Sequence, residues 1–305
     1  MKIIIIGATG LIGRKLAEHL TAKNHQVVIV SRSTGRAKEL FPGHKDFAGW
    51  DGRSVDILTG IVNGSDAVVN LAGENIAGGR WTEKRRQQII ESRVNSTNAV
   101  VKAINNSTKK PGALLQASAI GFYGAHLMKV FTEKDVTGSG FLAEVSQKWE
   151  SAAAELDPSV RLVFLRTGVV LDPGGGALKQ MQTPFKFWIG GHIGTGKQWF
   201  SWIHLEDEIR AITYLLENPQ SKGAFNLTAP QPVTMKEFAR SLGYAMKRPS
   251  WLQVPSIAIK LLMGQMGEEM VLNGQKVIPE KLMNQGFEFR YEKAKDALLE
   301  IYQKQ

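Results

Sequence analysis

Gly7, Gly10 and Gly13 recur at intervals of three residues, directly after four consecutive isoleucines at 3–6. Such an apolar run is typical of a buried parallel strand, and a helical pattern begins within the glycine motif, with Leu11, Leu16 and Leu20 on one side. Glycine lets a backbone approach a pyrophosphate closely, and a helix amino terminus supplies free N–H groups and a positive dipole end. Although the spacing is G-x-x-G-x-x-G, and a tight turn without a ligand is the alternative, the ~30-residue strand–turn–helix–strand unit predicts a dinucleotide site.

The end of the second strand indicates which dinucleotide to expect. An NAD site usually places Asp or Glu there to accept from the ribose 2′-hydroxyl, whereas this chain has Ser31 and Arg32. A guanidinium binds a 2′-phosphate bidentately and stacks on adenine, so the sequence predicts NADP(H). The alternative is that Arg32 is only a solvated cation. Arg14 and Arg36 are further candidate cations.

The elements that must position these residues alternate along the first half of the chain. Beyond the first strand, the predicted strands are Gln26–Val30, Lys45–Trp50, Ala67–Leu71, Ala113–Ala117 and Arg161–Leu165, and long helices are predicted over Glu83–Ile104 and Phe141–Glu155. Alternating strands and helices predict an α/β fold, a Rossmann doubly wound parallel sheet.

The alternation breaks near residue 172, where an Asp-Pro-Gly-Gly-Gly loop begins. A glycine-punctuated, aromatic stretch follows at 185–202, and proline breakers separate mostly helical segments after 234. We therefore predict a Rossmann domain over 1–171, to which 203–228 returns, and a smaller C-terminal substrate lobe formed by 172–202 and 229–305.

Composition excludes several functional classes. The 305 residues are 43% hydrophobic with a net charge of +10, contain no cysteine, and begin directly with a strand pattern. Thiolate chemistry, disulfides and cysteine metal sites are therefore excluded, and no apolar run reaches the ~18 residues of a membrane span. The dispersed basic residues do not form the stripe that nucleic acid requires. The sequence predicts a cytoplasmic enzyme with a small-molecule substrate and neither a nucleic acid nor a membrane partner, and it leaves the oligomeric state open.

Motifs along nearly the whole chain resemble the extended and atypical short-chain dehydrogenase/reductase superfamily, and within it the epimerase-like family sometimes mislabelled as a cell-division inhibitor. The matching landmarks are Gly7-Ala-Thr-Gly-Leu-Ile-Gly13, Asn70-Leu-Ala-Gly-Glu-Asn75 with Gly79-Arg-Trp81, Ser92-Arg-Val94, Ser118-Ala-Ile-Gly-Phe-Tyr-Gly124, Gly140-Phe-Leu-Ala-Glu144 with Trp149-Glu150, Leu165-Arg-Thr-Gly168, Trp202-Ile-His204, Pro249-Ser-Trp251 and Gly286-Phe-Glu-Phe289. This resemblance implies a Rossmann fold with bound NADP and leaves the substrate open.

The chain departs from the superfamily at the residues that do chemistry. The resemblance implies a Tyr-x-x-x-Lys pair near residue 141, but Phe141 and Val145 occupy those positions. The hydroxyl expected four residues before the Tyr-Gly pair falls on Ala119, and the usual helix asparagine is replaced near Arg93. The standard acid/base is therefore missing, although the cofactor motifs remain.

Three other residues are candidate catalysts. Ser118, at the end of the fifth strand, ranks first because its hydroxyl can donate to a carbonyl oxygen. Tyr123 ranks second and requires its loop to fold inward. Arg93 ranks third, as a cation that stabilises an oxyanion or orients an anion, with an outward-pointing side chain as its alternative. Glu144 and Lys148 are read mainly as helix-surface residues.

Residues at other strand ends complete the predicted cofactor site, because ligands bind at the carboxyl ends of parallel strands. The resemblance implies that a carboxylate at Asp51, beside Trp50, accepts from the adenine amino group; a turn residue is the alternative. The predicted cofactor contacts are Gly7, Thr9, Gly10, Leu11, Ile12, Gly13, Ser31, Arg32, Trp50, Asp51, Leu71, Ala72, Gly73 and Glu74.

Two functions compete on the sequence alone. The first is an NADP(H)-dependent oxidoreductase or epimerase-like enzyme with non-standard catalytic residues. The second is a binding protein that senses NADP(H) without doing chemistry, and a structural partner for another enzyme also stays open. A zinc site at His204 is not expected, and Trp188, Trp199 and Trp202 are read either as pocket walls or as packing between lobes.

Overall fold

The computed structural model describes residues 1–303. In its first half the elements are β1 (Lys2–Ile6), α1 (Leu11–Ala22), β2 (Gln26–Ser31), α2 (Thr34–Leu40), β3 (Phe47–Gly49), α3 (Val55–Val62), β4 (Ala67–Asn70), α4 (Glu83–Asn106), β5 (Ala113–Ala119), β6 (His126–Phe131), α5 (Phe141–Ser151), β7 (Arg161–Thr167) and β8 (Val169–Leu171). A 3-10 turn, Ile120–Tyr123, follows β5. The predicted strands and helices occur in the predicted order, but β6 and β8, which the sequence did not predict, interrupt their alternation.

The second half contains shorter strands between its helices. Its elements are α6 (Gly176–Lys186), β9 (Gly191–Ile193), β10 (Trp199–Phe200), β11 (Trp202–His204), α7 (Leu205–Glu217), β12 (Gly223–Leu227), β13 (Val233–Thr234), α8 (Met235–Met246), β14 (Leu252–Val254), α9 (Ser256–Met263), α10 (Gln265–Gly267), β15 (Gln275–Val277), α11 (Glu280–Asn284) and α12 (Ala294–Gln303). A π-helical turn, Glu268–Leu272, lies between α10 and β15. In the described part of the chain, no helix combines the length and apolar character needed to cross a bilayer.

Seven parallel strands form the central sheet, in the order β12-β7-β5-β4-β1-β2-β3. The predicted Rossmann fold class is confirmed. Three predicted bounds were too wide, of which the fourth strand, Ala67–Asn70, lacks only the predicted last residue, Leu71. The third strand covers only Phe47–Gly49 because it lies at the sheet edge and pairs with three residues of β2. The helix from Phe141 ends at Ser151, where Ala153 N–H donates to the Glu150 carbonyl and tightens the chain.

The isoleucine run supplies both faces of the sheet, because successive strand side chains point to opposite sides. Ile3 and Ile5 lie in a core with α1 and α7, whereas Ile4 and Ile6 lie in a second core with α3 and α4. All four are at most 3% exposed, and full burial of such a side chain stabilises a fold by about 1.5–3 kcal/mol. This double burial fixes β1, and the turn that follows it, at the centre of the molecule.

The chain returns to the sheet domain more often than predicted. Within 203–228, α7 packs on the sheet and β12 extends it beyond β7. Leu282 and Phe287, which the sequence places in the lobe, also pack in this core. The lobe has its own core, which includes Trp202, Phe238 and Leu298.

Candidate functional site

The turn between β1 and α1 is packed too tightly for side chains. Gly7 has φ +84, and a Cβ there would lie 2.8 Å from the Leu71 carbonyl carbon. A Cβ on Gly13 would lie 2.4 Å from the Gly7 oxygen. No side chain caps α1 at Gly10, so the first-turn amides keep the free N–H groups that bind a pyrophosphate. The turn therefore fits the phosphates of a dinucleotide.

The end of β2 presents two exposed cations. The guanidinium groups of Arg32 and Arg36 form no hydrogen bond or ion pair with the described residues. Ser33 caps α2 by accepting from the Arg36 amide at 3.4 Å, and Ser31 Oγ donates to the Ser33 carbonyl. Arg14, in contrast, pairs with Glu18 at 3.2 Å. The serines therefore shape the loop, and the two guanidinium groups remain available for a phosphate.

Trp50 and Asp51 are engaged in the turn before α3. Trp50 is 5% exposed, and its indole N–H donates to the Ser54 carbonyl. The Asp51 carboxylate accepts from the Ser54 hydroxyl and from the amides of Ser54 and Arg53, which lowers its pKa to about 2. The structure thus gives Asp51 the turn role, while its contact with adenine stays a prediction.

The segment after β4, Leu71–Glu74, lies directly beside the glycine turn. Leu71 N–H donates to the Ile6 carbonyl, and Ala72 N–H donates to Asn70 Oδ1 at 3.2 Å. A Cβ on Gly73 would lie 3.2 Å from the Arg93 guanidinium carbon. Gly73 therefore allows a buried guanidinium to approach the carboxyl end of β4.

Arg93 is a buried cation held by neutral groups. It is 9% exposed, and its Nη1 donates to the carbonyls of Glu74 and Ile89, both at 3.1 Å. Its guanidinium carbon lies 4.8 Å from the Trp149 ring centre, and no ion pair joins it to a described carboxylate. Burial lowers the pKa of Arg93 to about 10, so the charge persists at neutral pH. A buried cation that has no ion-pair partner among the described residues, and only a longer-range attraction from the Glu74 carboxylate, favours the anion-binding interpretation.

Ser118 and Tyr123 belong to one buried polar network. Ser118 Oγ donates to Glu150 at 2.6 Å, and Arg166 donates to both oxygens of the same carboxylate at 2.8 Å. Arg166 also donates to the Tyr123 hydroxyl, which in turn donates to Asn226 at 2.7 Å. Burial raises the pKa of Tyr123 to about 12. The two hydroxyls are therefore brought together through Arg166, and both are occupied by internal partners.

An apolar cluster fills the place of the missing Tyr-Lys pair. Phe141 and Val145, both at most 3% exposed, pack with Trp81 and Met266. The Phe141 and Trp81 ring centres are 4.8 Å apart in an edge-on arrangement. The Glu269 carboxylate accepts from the Phe141 and Leu142 amides at 3.2 and 3.0 Å and so caps α5. No acid/base group stands at this position.

The remaining sequence candidates have structural roles. His204 accepts from the Glu206 amide and pairs with Glu300 at 3.2 Å, and burial lowers its pKa. No metal-binding group of His, Asp and Glu residues occurs among the described residues. Trp202 is fully buried, whereas Trp188 is 58% exposed. Trp199 lies between these extremes, and its indole N–H donates to the Leu127 carbonyl. Lys148 pairs with Glu144 at 2.7 Å on the helix surface.

Glu208, a buried carboxyl of α7 that contacts the last residue of β7, was not predicted from the sequence. It is fully buried on α7, where its Oε1 accepts from the Thr167 hydroxyl at 2.8 Å and its Oε2 has no partner among the described residues. Burial raises the pKa of Glu208 to about 8. The sequence signal is a charged residue on the apolar side of an amphipathic helix.

Comparison with known proteins identifies relatives over almost the whole chain. Residues 3–170 match the family described as NAD dependent epimerase/dehydratase, and residues 254–301 match a domain of unknown function, DUF1731. A chloroplastic SDR39U1 homologue from Arabidopsis thaliana is 44% identical and covers 99% of this chain and 87% of its own. The epimerase family protein YfhF of Bacillus subtilis is 38% identical, with 99% and 98% covered.

Solved structures show the same architecture. The human epimerase family protein SDR39U1, crystallised with NADPH, has a TM-score of 0.90 and 34% identity, with 99% of both chains covered. A UDP-glucose 4-epimerase from Thermotoga maritima has a TM-score of 0.79 at 16% identity, with 100% and 99% covered, so it shares the fold alone.

Proposed function

Because this chain belongs to the NAD-dependent epimerase/dehydratase family, we propose that it is an NADP(H)-dependent oxidoreductase or epimerase-like enzyme acting on a small polar substrate. The observation that carries the chemical part is the buried Arg93 guanidinium at the carboxyl end of β4. Ligands bind at that edge in open α/β sheets. The proposal therefore puts the reacting oxygen of the substrate beside Arg93.

The cofactor we infer is NADP(H), in agreement with the NADPH that was crystallised with human SDR39U1. The glycine turn and the start of α1 would hold its pyrophosphate, and Arg32 with Arg36 would hold its 2′-phosphate. The segment Leu71–Glu74 would line the path toward the nicotinamide, and Trp50 and Asp51 would flank the adenine. When bound, the cofactor supplies or accepts hydride at its nicotinamide, and the residues of this chain bind and orient it.

Arg93 is the predicted catalytic residue whose surroundings fit best. Two carbonyls orient its guanidinium and the Trp149 ring supports it, yet no described carboxylate forms an ion pair with it. A preorganised cation in a poorly hydrated site stabilises negative charge that develops on a substrate oxygen. Ser118 and Tyr123 take a positioning role in this proposal, because their hydroxyls join β5, β7 and β12 through Arg166.

A second candidate function is NADP(H) binding without turnover. The apolar packing of Phe141 and Val145 favours it, since it removes the acid/base that superfamily reactions use. On this alternative, Arg93 only secures the loop after β4. The two functions differ in whether Arg93 affects a chemical step.

The test measures binding and chemistry separately. NADPH and NADH affinities of the purified protein are determined first, and the NADPH-loaded protein is then mixed with a panel of aldehydes, ketones and enones. If the enzyme proposal holds, at least one compound consumes NADPH, and Arg93→Met lowers kcat about hundredfold with little change in NADPH affinity. Arg93→Lys retains part of the rate, and Arg240→Met, which removes an exposed cation, retains all of it. Tight NADPH binding with no consumption by any compound would leave the passive function.

A further inference from the structure

Six large apolar side chains are exposed together on the outer surface of the lobe. They are 58–72% exposed and form what we call the apolar face: Phe187, Trp188, Trp251, Ile257, Leu261 and Leu262. An exposed set of this size marks an interaction surface more often than a neutral part of a monomer. The face lies outside the residues proposed for cofactor binding and catalysis.

The pairing of β9 with β14 places the segments that carry these residues side by side. Gly191 stands opposite Leu252 in this parallel pair, so the loop before β9 lies beside Trp251. Helix α9 begins two residues after β14. The backbone of Trp188 has φ +64, a left-handed conformation that bulky residues rarely adopt. The loop therefore holds Trp188 outward against its own backbone preference.

Helix α9 has the composition of a buried helix but lies at the surface. Its sequence, Ser-Ile-Ala-Ile-Lys-Leu-Leu-Met, contains five bulky apolar residues, and only Ile259 is buried. A surface helix normally directs polar residues toward solvent, and an apolar helix normally has a covering partner. Two apolar residues, Leu261 and Leu262, are instead each 72% exposed.

The segments that carry the apolar face contain cations and no acids. Residues 173–205 and 238–267 together include seven Lys or Arg residues and no Asp or Glu. Lys186 and Lys260 lie within or next to the face, and the Arg248 guanidinium stacks 4.4 Å from the Trp188 ring centre. Lys260 also pairs with Glu268 at 3.0 Å, where the acid-free segment ends. Apart from this edge, the face complements a negatively charged surface.

We propose that the apolar face docks on the surface of an anionic lipid bilayer. Tryptophan rings favour the headgroup boundary, aliphatic side chains of α9 enter its apolar edge, and lysines pair with anionic headgroups. The protein then lies on the membrane without crossing it. The sequence-based expectation of no membrane partner rested on the absence of a spanning run, which does not exclude this mode.

Other occupants fit less well. A second copy of this chain would bring two acid-free, basic faces together, which like-charge repulsion opposes. Nucleic acid would use the cations and tryptophans but gains little from Ile257, Leu261 and Leu262, which neither stack on bases nor donate hydrogen bonds.

Arg80, in the loop after β4, donates to the Leu261 carbonyl. The face is therefore joined to the segment that leads from the proposed site.

Cosedimentation with lipid vesicles tests the proposal directly. The full-length protein is mixed with vesicles of phosphatidylcholine alone, or of phosphatidylcholine with phosphatidylglycerol. We expect binding to the anionic vesicles that weakens with salt, with a blue shift in tryptophan emission. Leu261→Glu/Leu262→Glu should weaken this binding about tenfold or more. Ile57→Glu, which changes a side chain of 52% exposure on α3, is the matched control and should bind normally.

The outcomes separate the lipid from the other occupants. Because the substituted side chains are exposed, NADPH affinity and thermal unfolding should be unchanged in the variants, and Trp188→Ser provides a second test that leaves α9 intact. The proposal is overturned if the unaltered protein does not bind anionic vesicles, or if the face variants bind as tightly as Ile57→Glu. It is also overturned if light scattering shows a dimer that the face variants abolish and vesicles do not compete for.

Discussion

The two ends of the proposed site differ in how their polar groups are engaged. At the cofactor end, the first-turn amides of α1 and the guanidinium groups of Arg32 and Arg36 lack protein partners among the described residues. Between β5 and α5, by contrast, Ser118 and Arg166 share the Glu150 carboxylate, and Phe141 lies in an apolar cluster. One end is open to an anionic ligand, whereas the other is closed on itself.

This difference indicates that one fold can keep the residues for cofactor binding while it lacks those for acid/base chemistry. Backbone amides and glycines hold the phosphates, so this function survives wherever the strand–turn–helix geometry survives. Acid/base chemistry needs particular side chains, and here those positions have become core. Any chemical step must therefore rely on a group beside the closed region, for which Arg93 is our proposal.

Gly13→Val would disrupt the open end and has the largest expected effect. The added Cβ would meet the Gly7 oxygen at 2.4 Å, so the turn must move away from its phosphate-binding shape. NADPH affinity should fall about hundredfold or more in a fluorescence titration. Gly10→Ala, whose Cβ would lie 3.3 Å from the same oxygen, should have a smaller effect, and Gly60→Ala, with nothing within 4 Å, should have none. Unchanged affinity in a folded Gly13→Val protein would contradict a phosphate site at this turn.

Local patterns were sufficient for most of the fold. The isoleucine run, the glycine turn and the apolar strand at 67–71 predicted strands that the structure contains, because each pattern spans only neighbouring residues. The pairing of β6 with β15 was not predicted. Their residues are separated by more than a hundred positions, and five of the six β6 side chains are exposed, so β6 carries no buried alternation.

In the candidate site, the sequence signals were local for the proposed cofactor residues and weak or absent for the buried polar contacts. The proposed cofactor residues lie in short segments at the ends of successive strands, whereas the Glu150–Arg166 pair joins a helix to a strand. Only the charge of Arg166 within an apolar strand pattern signalled a buried partner. Glu269, which caps α5 across 128 positions, gave no local signal at all. Contacts between residues that are distant in the sequence could therefore not be predicted.

Glu208→Gln should remove a pH dependence of stability near the closed end. The native carboxyl has a pKa of about 8 against 4.5 when solvated, so it keeps a proton that the unfolded chain releases. Its stabilising contribution is therefore complete below about pH 4.5 and is lost as pH rises to about 8. Between pH 5 and 8, the unaltered protein should lose about 3–4 kcal/mol more unfolding free energy than the variant, measured with urea.

The matched control for this change is Glu39→Gln, which alters an exposed carboxyl on α2. It should follow the unaltered protein at every pH. Parallel pH curves for Glu208→Gln and the unaltered protein would show that the Glu208 carboxyl does not hold its proton in the folded state.

Phe141→Tyr tests whether a hydroxyl at the closed end restores acid/base chemistry there. The new hydroxyl enters a cluster with Trp81 and Met266, and an unsatisfied buried hydroxyl costs about 1–3 kcal/mol. Urea unfolding should show this loss, whereas Phe187→Tyr, at a side chain of 71% exposure, should be neutral. Phe141→Tyr/Val145→Lys should gain no nucleotide-sugar turnover. A gain of turnover would place the reacting atoms here and not beside Arg93.

Arg32→Glu sharpens the comparison at the open end, because it changes only the exposed cation proposed to bind the 2′-phosphate. Loss of a charge-assisted contact to the 2′-phosphate costs about 1.5–3 kcal/mol, so NADPH affinity should fall about tenfold or more. NADH affinity should change less or improve, because a carboxylate accepts from the ribose 2′-hydroxyl. Lys102→Glu, at an exposed cation on α4, makes the same charge change elsewhere and should preserve the NADPH preference. Equal affinities for NADH and NADPH in the unaltered protein would contradict NADP(H) selectivity, because the Arg32 guanidinium would then contribute nothing to binding of the 2′-phosphate.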